Sequence, residues 1–174
     1  MLAVKTEEDI RFLEELPIST RQSLFIDYLF KEFLYKFGYF FKLEHQGMLL
    51  NKSDSKWREF IYKFLYTLEP RHFTPDTIVL DQFEEANEVV FFVRGSVLVG
   101  YHLFHETFWA KLLKNRFIIG AYACMTNKVS EFLYKPMDCV EGLATKKESF
   151  QRILRDKVGR NLQPKIYKLQ QKLR

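Results

Sequence analysis

The chain is sparing with the residues that staple, break or anchor a fold: its 174 positions hold two cysteines, five prolines and seven glycines. Cys124 and Cys139 lack CxxC spacing and no signal peptide accompanies them, so both are expected as free thiols in a reducing compartment. No apolar run approaches the ~18 residues of a membrane span, because Lys31, Lys36, Lys63 and Arg94 punctuate the runs. Catalytic signatures are missing as well. There is no GxSxG elbow, no P-loop and no Cys-His constellation, and Glu84-Glu85 reads as a solvated turn, so the chain is not expected to be an enzyme. His102, His105 and Glu106 do not make a metal site, since on a strand that spacing sends the histidines to opposite faces.

Aromatic residues are plentiful: eighteen Phe and nine Tyr in a chain that is 47% hydrophobic. Most of them fall inside periodic segments and are read as packing, enough to bury a substantial core. The net charge of +5 is unevenly placed. Residues 146–174 hold ten Lys/Arg against Glu148 and Asp156, so the rest of the chain is slightly acidic. A basic end of this kind attracts phosphate, anionic lipid or an acidic partner, or is simply a solvated helix face.

The periodicity predicts an α+β order. Thr6 and the acids after it start a short helix that Pro17 stops; Ser19 and Gln22 have capping-box spacing, and an unbroken amphipathic helix over Leu24–Phe37 ends near Gly38. Residues 45–56 read as a loop, with Asp54 or Ser55 capping a helix that carries Trp57, Phe60, Ile61 and Phe64 and stops before Pro70. The period then becomes extended: HFTPDTIVL turns at Pro75-Asp76, and EVVFFV and SVLVGYHLF flank Gly95. FWAKLLKNRFIIG holds a further strand after a turn near Lys114 and Asn115, ACMTNKVSEFLY reads as a short helix or irregular segment, and two helical pieces after Thr145 part at Gly159 and restart near Pro164.

Two phrases, FTPDTIV at 73–79 and FFVRGSVLV at 91–99, resemble the β-roll signature of the cyclic-nucleotide-binding domain of tetrameric cation channels. Phe73, Pro75, Ile78, Phe91, Phe92, Val93, Gly95, Val97 and Val99 carry the match. Upstream, EEDIRFLEELPISTRQSL is similar to the C-linker phrase in which an acidic helix ends at Leu-Pro. Downstream, DCVEGLATKKESFQRIL is similar to the last strand and following helix, with Phe150, Ile153 and Leu154 packing on the roll. The resemblance implies a helical C-linker-like segment over 1–70, then an antiparallel, jelly-roll-like β-roll with C-terminal helices over 71–174. Residues 38–56 match nothing in the family.

In that family a glycine opens a short helix whose N–H groups receive the cyclic phosphate, a glutamate accepts the ribose hydroxyl and an arginine pairs with the phosphate. The resemblance places Gly120 at the glycine, Ala121 at the glutamate, then Tyr122, Ala123 and Cys124; the arginine position falls on Val129, beside Lys128, and Glu131 stands where a small residue is expected. Losing a charged phosphate contact costs about 1.5–3 kcal/mol and losing the ribose acceptor about 1 more, together two to three decades of affinity. Weak or absent binding of cAMP and cGMP is therefore expected, with Lys128 restoring part of the attraction but lacking the planar fork. In one branch of the voltage-gated potassium channels a segment of the same chain fills this pocket; Tyr122, Phe132, Tyr134 and Tyr167 are the aromatics available to do so here.

These expectations describe a cytoplasmic regulatory domain of a cation channel, with potassium the expected ion. Its partners would be the other subunits of a tetramer, and its membrane contact would come only through upstream segments. No cofactor is expected beyond the doubtful cyclic nucleotide. KIYKLQQKLR has one aromatic and no groove-reading unit, so nucleic acid is not an expected partner. No DNA-reading helix-turn-helix follows the last helix and no second roll repeats, which favours a channel or an exchanger over the family's other settings. Two alternatives stay open: a working cyclic-nucleotide sensor, and a soluble adaptor that uses the roll to bind protein.

Overall fold

Phe91 is the point at which the two halves of the chain meet. In the computed structural model, which describes residues 11, 13–45 and 48–174, its ring lies 5.3–5.6 Å from those of Phe33, Phe37, Phe40 and Phe64. All five side chains are essentially withdrawn from water. Each such ring contributes about 1.5–3 kcal/mol through burial, and edge-to-face geometry adds to it.

The helices before the roll begin with α1 (Ile18–Ser23). Pro17 occupies its N-cap position and no side chain caps it, so the Ser19–Gln22 capping box does not form. Residues 11 and 13–15 are helical as expected, while the start of that first helix, around Thr6, lies outside the described residues. The expected unbroken helix over Leu24–Phe37 is instead a π-helical turn (Leu24–Leu29), a break at Phe30 and α2 (Lys31–Lys36). Phe30 N–H donates to Phe25 O at 2.9 Å, five residues back, and the two rings stack at 5.6 Å. At regular α-helical spacing Ile26 already shares a face with Phe33; the wider turn brings Phe25 into the same buried set with Ile26, Phe33 and Leu34.

Residues 45–56 are not all loop: β1 (Glu44–His45) and β2 (Met48–Leu49) pair antiparallel. Asp54 then takes the N-cap position of α3 (Ser55–Tyr66), although its carboxylate accepts Asn51 N–H at 2.6 Å rather than a helix amide. The buried face of α3 carries Trp57, Phe60, Ile61, Phe64 and Leu65, and the Trp57 indole N–H donates to Phe41 O at 3.1 Å.

The roll consists of two antiparallel sheets. One has β3 (Glu69–Phe73), β9 (Val140–Lys146), β4 (Glu88–Arg94) and β7 (Phe117–Ile119) in that order; the other has β6 (Glu106–Lys114), β5 (Ser96–Leu103) and β8 (Leu133–Pro136). The first strand ends earlier than HFTPDTIVL implies, at Phe73, and beyond the turn only Leu80 bridges β8. The strand β8 lies in the segment read as irregular, because its burial comes from pairing with Val97–Gly100 rather than from any alternation of its own. Gly95 has φ +97°, and a Cβ there would meet Asp138 Oδ1 at 2.8 Å and Cys139 O at 2.9 Å. Asp138 uses this closeness to accept both Ser96 N–H and Ser96 Oγ–H at 2.8 Å, and those donors hold its carboxyl below its ordinary value.

Between β7 and β8 runs α4 (Ala121–Thr126); after β9 come α5 (Lys147–Arg155), a 3-10 turn (Gly159–Leu162) and α6 (Gln163–Leu173), with Pro164 in its first turn. Phe150 and Leu154 are buried beneath α5 and Ile153 is partly so. No described helix is long and apolar enough to cross a membrane.

Candidate functional site

The site expected from the sequence is the turn from β7 into α4. Gly120 is left-handed at φ +80°, and a Cβ on it would sit 2.5 Å from Glu88 O on β4. Glycine is therefore required twice over, for the torsion and for the approach. Cys124 N–H closes the first helical turn on Gly120 O at 2.8 Å, and its thiol donates to Ala86 O at 3.3 Å. Asn127, also left-handed, ends α4, and Gln151 of α5 holds that end by donating to Cys124 O and Asn127 Oδ1, both at 2.8 Å.

The chain then returns beside the loop before β4. Val129 bridges Glu85, Ser130 N–H donates to Glu84 O, and Phe83 N–H donates to Ser130 O, both at 2.8 Å. This two-sided clamp fixes Val129 at the wall of the site with no cationic group to offer. Lys128 is exposed and is not among the residues lining the cavity.

What covers the site is α6. Ile166, Leu169 and Leu173 face Gly120, Ala121 and Tyr134, and the space left among them is ≈20 Å³, about enough for one water. Of the aromatics read as fillers, Tyr122 and Tyr134 line this space; Phe132 and Tyr167 do not. Tyr167 sits half-exposed with its ring edge-on to Tyr122 at 5.7 Å, and Phe132 packs beside Tyr134 at 6.5 Å. The aliphatic residues of α6 occupy the position instead. The i, i+3, i+7 spacing of Ile166, Leu169 and Leu173 was the available signal, but it marks a buried face without saying against what.

Polar contacts hold α6 in place at both ends. At its start, Lys165 donates to Tyr39 O at 3.3 Å, Phe40 O at 3.0 Å and Lys42 O. Near its end, Lys111 of β6 donates to Lys172 O at 2.9 Å. The segment after α2 thus supplies the carbonyls that anchor the last helix. Glu131, read as an intruding negative charge, accepts Gln170 Nε2–H at 3.1 Å and Arg174 Nε–H at 2.8 Å. Arg174 and then Gln170 hold the Glu131 carboxyl below its usual range. Burial pushes the Tyr134 phenol up, so it stays neutral.

The histidines do not converge. His105 lies in the two-residue turn between β5 and β6, while His102 meets Thr107 Oγ1 at 3.0 Å and Asp81 Oδ1 at 3.3 Å; among the described residues no cluster of three metal-ligating side chains occurs.

No protein-family model matches the sequence, and no curated protein does. Solved structures do. The regulatory domain of Toxoplasma gondii PKA, crystallised with cAMP, superposes with a TM-score of 0.60 at 14% identity, over 86% of this chain and 51% of its own. The catabolite activator protein of Thermus thermophilus gives 0.56 at 16% identity, over 66% of this chain and 55% of its own. The chain thus spans about half the length of these proteins. At such identities the likeness is one of fold, and that fold, helices packed on an antiparallel β-roll, is the cyclic-nucleotide-binding fold.

Proposed function

We propose that this chain is a cytoplasmic regulatory and assembly domain of a cation channel, with potassium the ion of choice. On this reading its cyclic-nucleotide-binding fold carries a site closed by its own last helix, and it is non-catalytic. The observation that carries the proposal is the seating of Ile166, Leu169 and Leu173 on the Gly120 turn, where ≈20 Å³ remains. A nucleotide needs a pocket on the order of 300 Å³, so cAMP or cGMP has to displace α6 before it meets Ala121 and Val129, which offer neither acid nor arginine. The same helix is tied by Lys165 to the segment after α2. A change at the site therefore reaches the N-terminal helices, which in a channel would lie nearest the pore.

The channel setting rests on the C-linker-like prefix and on this connection between prefix and lid. Its test is an electrophysiological one. In the channel that carries this domain, Arg174→Gln should shift the voltage or rate of gating, and unchanged gating would count against the reading. The ligand half is tested by calorimetric titration with cAMP and cGMP, where micromolar affinity in the unaltered chain would overturn a closed site.

A further inference from the structure

We propose that the groove between α1, α3 and α5, on the opposite side of α5 from the site above, binds a planar aromatic anion. It encloses ≈530 Å³, a volume proper to small-ligand sites and far larger than the space beneath α6. Its floor is the buried ring of Phe60, and Ile153 of α5 forms one wall. The other wall is an aromatic pair, Tyr62 and Tyr66, one turn apart on α3 with ring centroids 6.0 Å from each other. Phe25 packs edge-on against Tyr62 at 5.3 Å and fixes its plane. Flat faces held in this way suit a flat ring system.

The rim sets the charge of the occupant. Arg21 of α1 and Arg152 of α5 come to the groove from opposite sides, and neither has a carboxylate partner among the described residues. Arg21 uses its Nε–H on Leu16 O at 3.0 Å, which orients the guanidinium. Lys63 pairs with Glu59 at 2.6 Å, and Asp156, which accepts Val158 N–H at 2.8 Å, brings a negative charge of its own, so the two arginines outweigh the one carboxylate lining the groove. Two arginines facing a slot walled by tyrosine match an anionic group joined to an aromatic body. A neutral ring would leave the guanidinium pair unanswered, and a simple inorganic anion would make no use of the apolar lining from Phe60, Tyr62 and Ile153.

Anilinonaphthalene sulfonate is the probe, and phenylnaphthylamine, the same rings without the sulfonate, is its neutral counterpart. Fluorescence titration of the full chain should show one saturable sulfonate site. Arg21→Gln and Arg152→Gln should each weaken it about tenfold. Trp109→Ala, which removes an exposed aromatic on β6, and Lys135→Gln should leave it unchanged. The neutral probe should bind about tenfold more weakly than the sulfonate and ignore both arginine variants. Circular dichroism melts matching those of the unaltered chain would show that the variants fold. Sulfonate binding that is absent, that survives both arginine substitutions, that disappears with Trp109→Ala, or that is equalled by the neutral probe would overturn the proposal.

Discussion

Arg174 grips Glu131 with two donors, Nε–H to Oε2 at 2.8 Å and Nη2–H to Oε1, and lays its guanidinium 6.0 Å from the Tyr122 ring centroid. The acid that would repel a phosphate is thereby turned into the catch for the last helix. Because its pKa is lowered in the folded chain, Glu131 contributes stability that is present above the ordinary carboxyl value of 4.5 and lost as the pH falls through the lowered one. Amide resonances of α6 should therefore shift in that acid window before those of β4 do. Arg174→Gln should speed hydrogen exchange in α6 roughly two- to fivefold at neutral pH, the scale of an exposed ion pair. Exchange in α6 that is the same in both chains would remove the catch from the account.

Gly120 holds the turn open for α4. Gly120→Ala places a Cβ 2.5 Å from Glu88 O at a torsion that costs an L-residue 1–2 kcal/mol by itself, so a loss of about 2 kcal/mol or more is expected in urea denaturation. A loss below about 0.5 kcal/mol would mean that the turn relaxes freely.

The roll was legible because its signals are local. Phe91, Phe92, Val97 and Val99 alternate or cluster as strands do, and Gly95 and Gly120 stand at torsions that few other residues accept. That Ala121 and Val129 stand at the acid and arginine positions is what the resemblance implies, an expectation that only a binding measurement tests. Two features were not legible. The π-helical turn at Leu24–Leu29 sets Phe25 against Tyr62 and Tyr66, which lie across a tertiary interface. The seating of α6 depends on Lys165 reaching carbonyls more than 120 residues away, and no window of sequence reports such a contact.

The helical segment before Pro70 and the roll after it share the cluster centred on Phe91, so they should unfold as one. Phe91→Ala is expected to cost about 3–5 kcal/mol, as large aromatic truncations in packed cores do. In a Trp109→Phe background, fluorescence reports Trp57 on α3 alone, and its denaturation curve should coincide with that from far-ultraviolet circular dichroism. Two separated transitions would show that the segments are thermodynamically independent.

The two cysteines should differ sharply in reactivity. Cys124 is fully buried, and burial pushes its thiol up to about 12, while Cys139 is exposed. At pH 8, alkylation followed by mass spectrometry should add one group, on Cys139, since the thiolate is the reacting form. Modification of Cys124 at a comparable rate would mean that α4 opens under native conditions.

On the reading that α6 and the altered cassette are separate obstacles to a nucleotide, removing each should improve affinity by its own factor. Ala121→Glu with Val129→Arg supplies the ribose acceptor and the phosphate partner, worth two to three decades of affinity together, but Ile166, Leu169 and Leu173 still fill the space. Arg174→Gln loosens the lid but leaves a site with nothing to hold a phosphate. Combined, the three changes should bind cAMP about two- to fivefold more tightly than Ala121→Glu with Val129→Arg alone, because a lid that must open lowers the affinity of every ligand by the same factor until it is weakened. Calorimetric titration of the three chains measures the two factors separately. Equal affinity with and without Arg174→Gln would show that α6 lies over the site without closing it, and the reading of α6 as a lid would fail while the alteration of the cassette would stand.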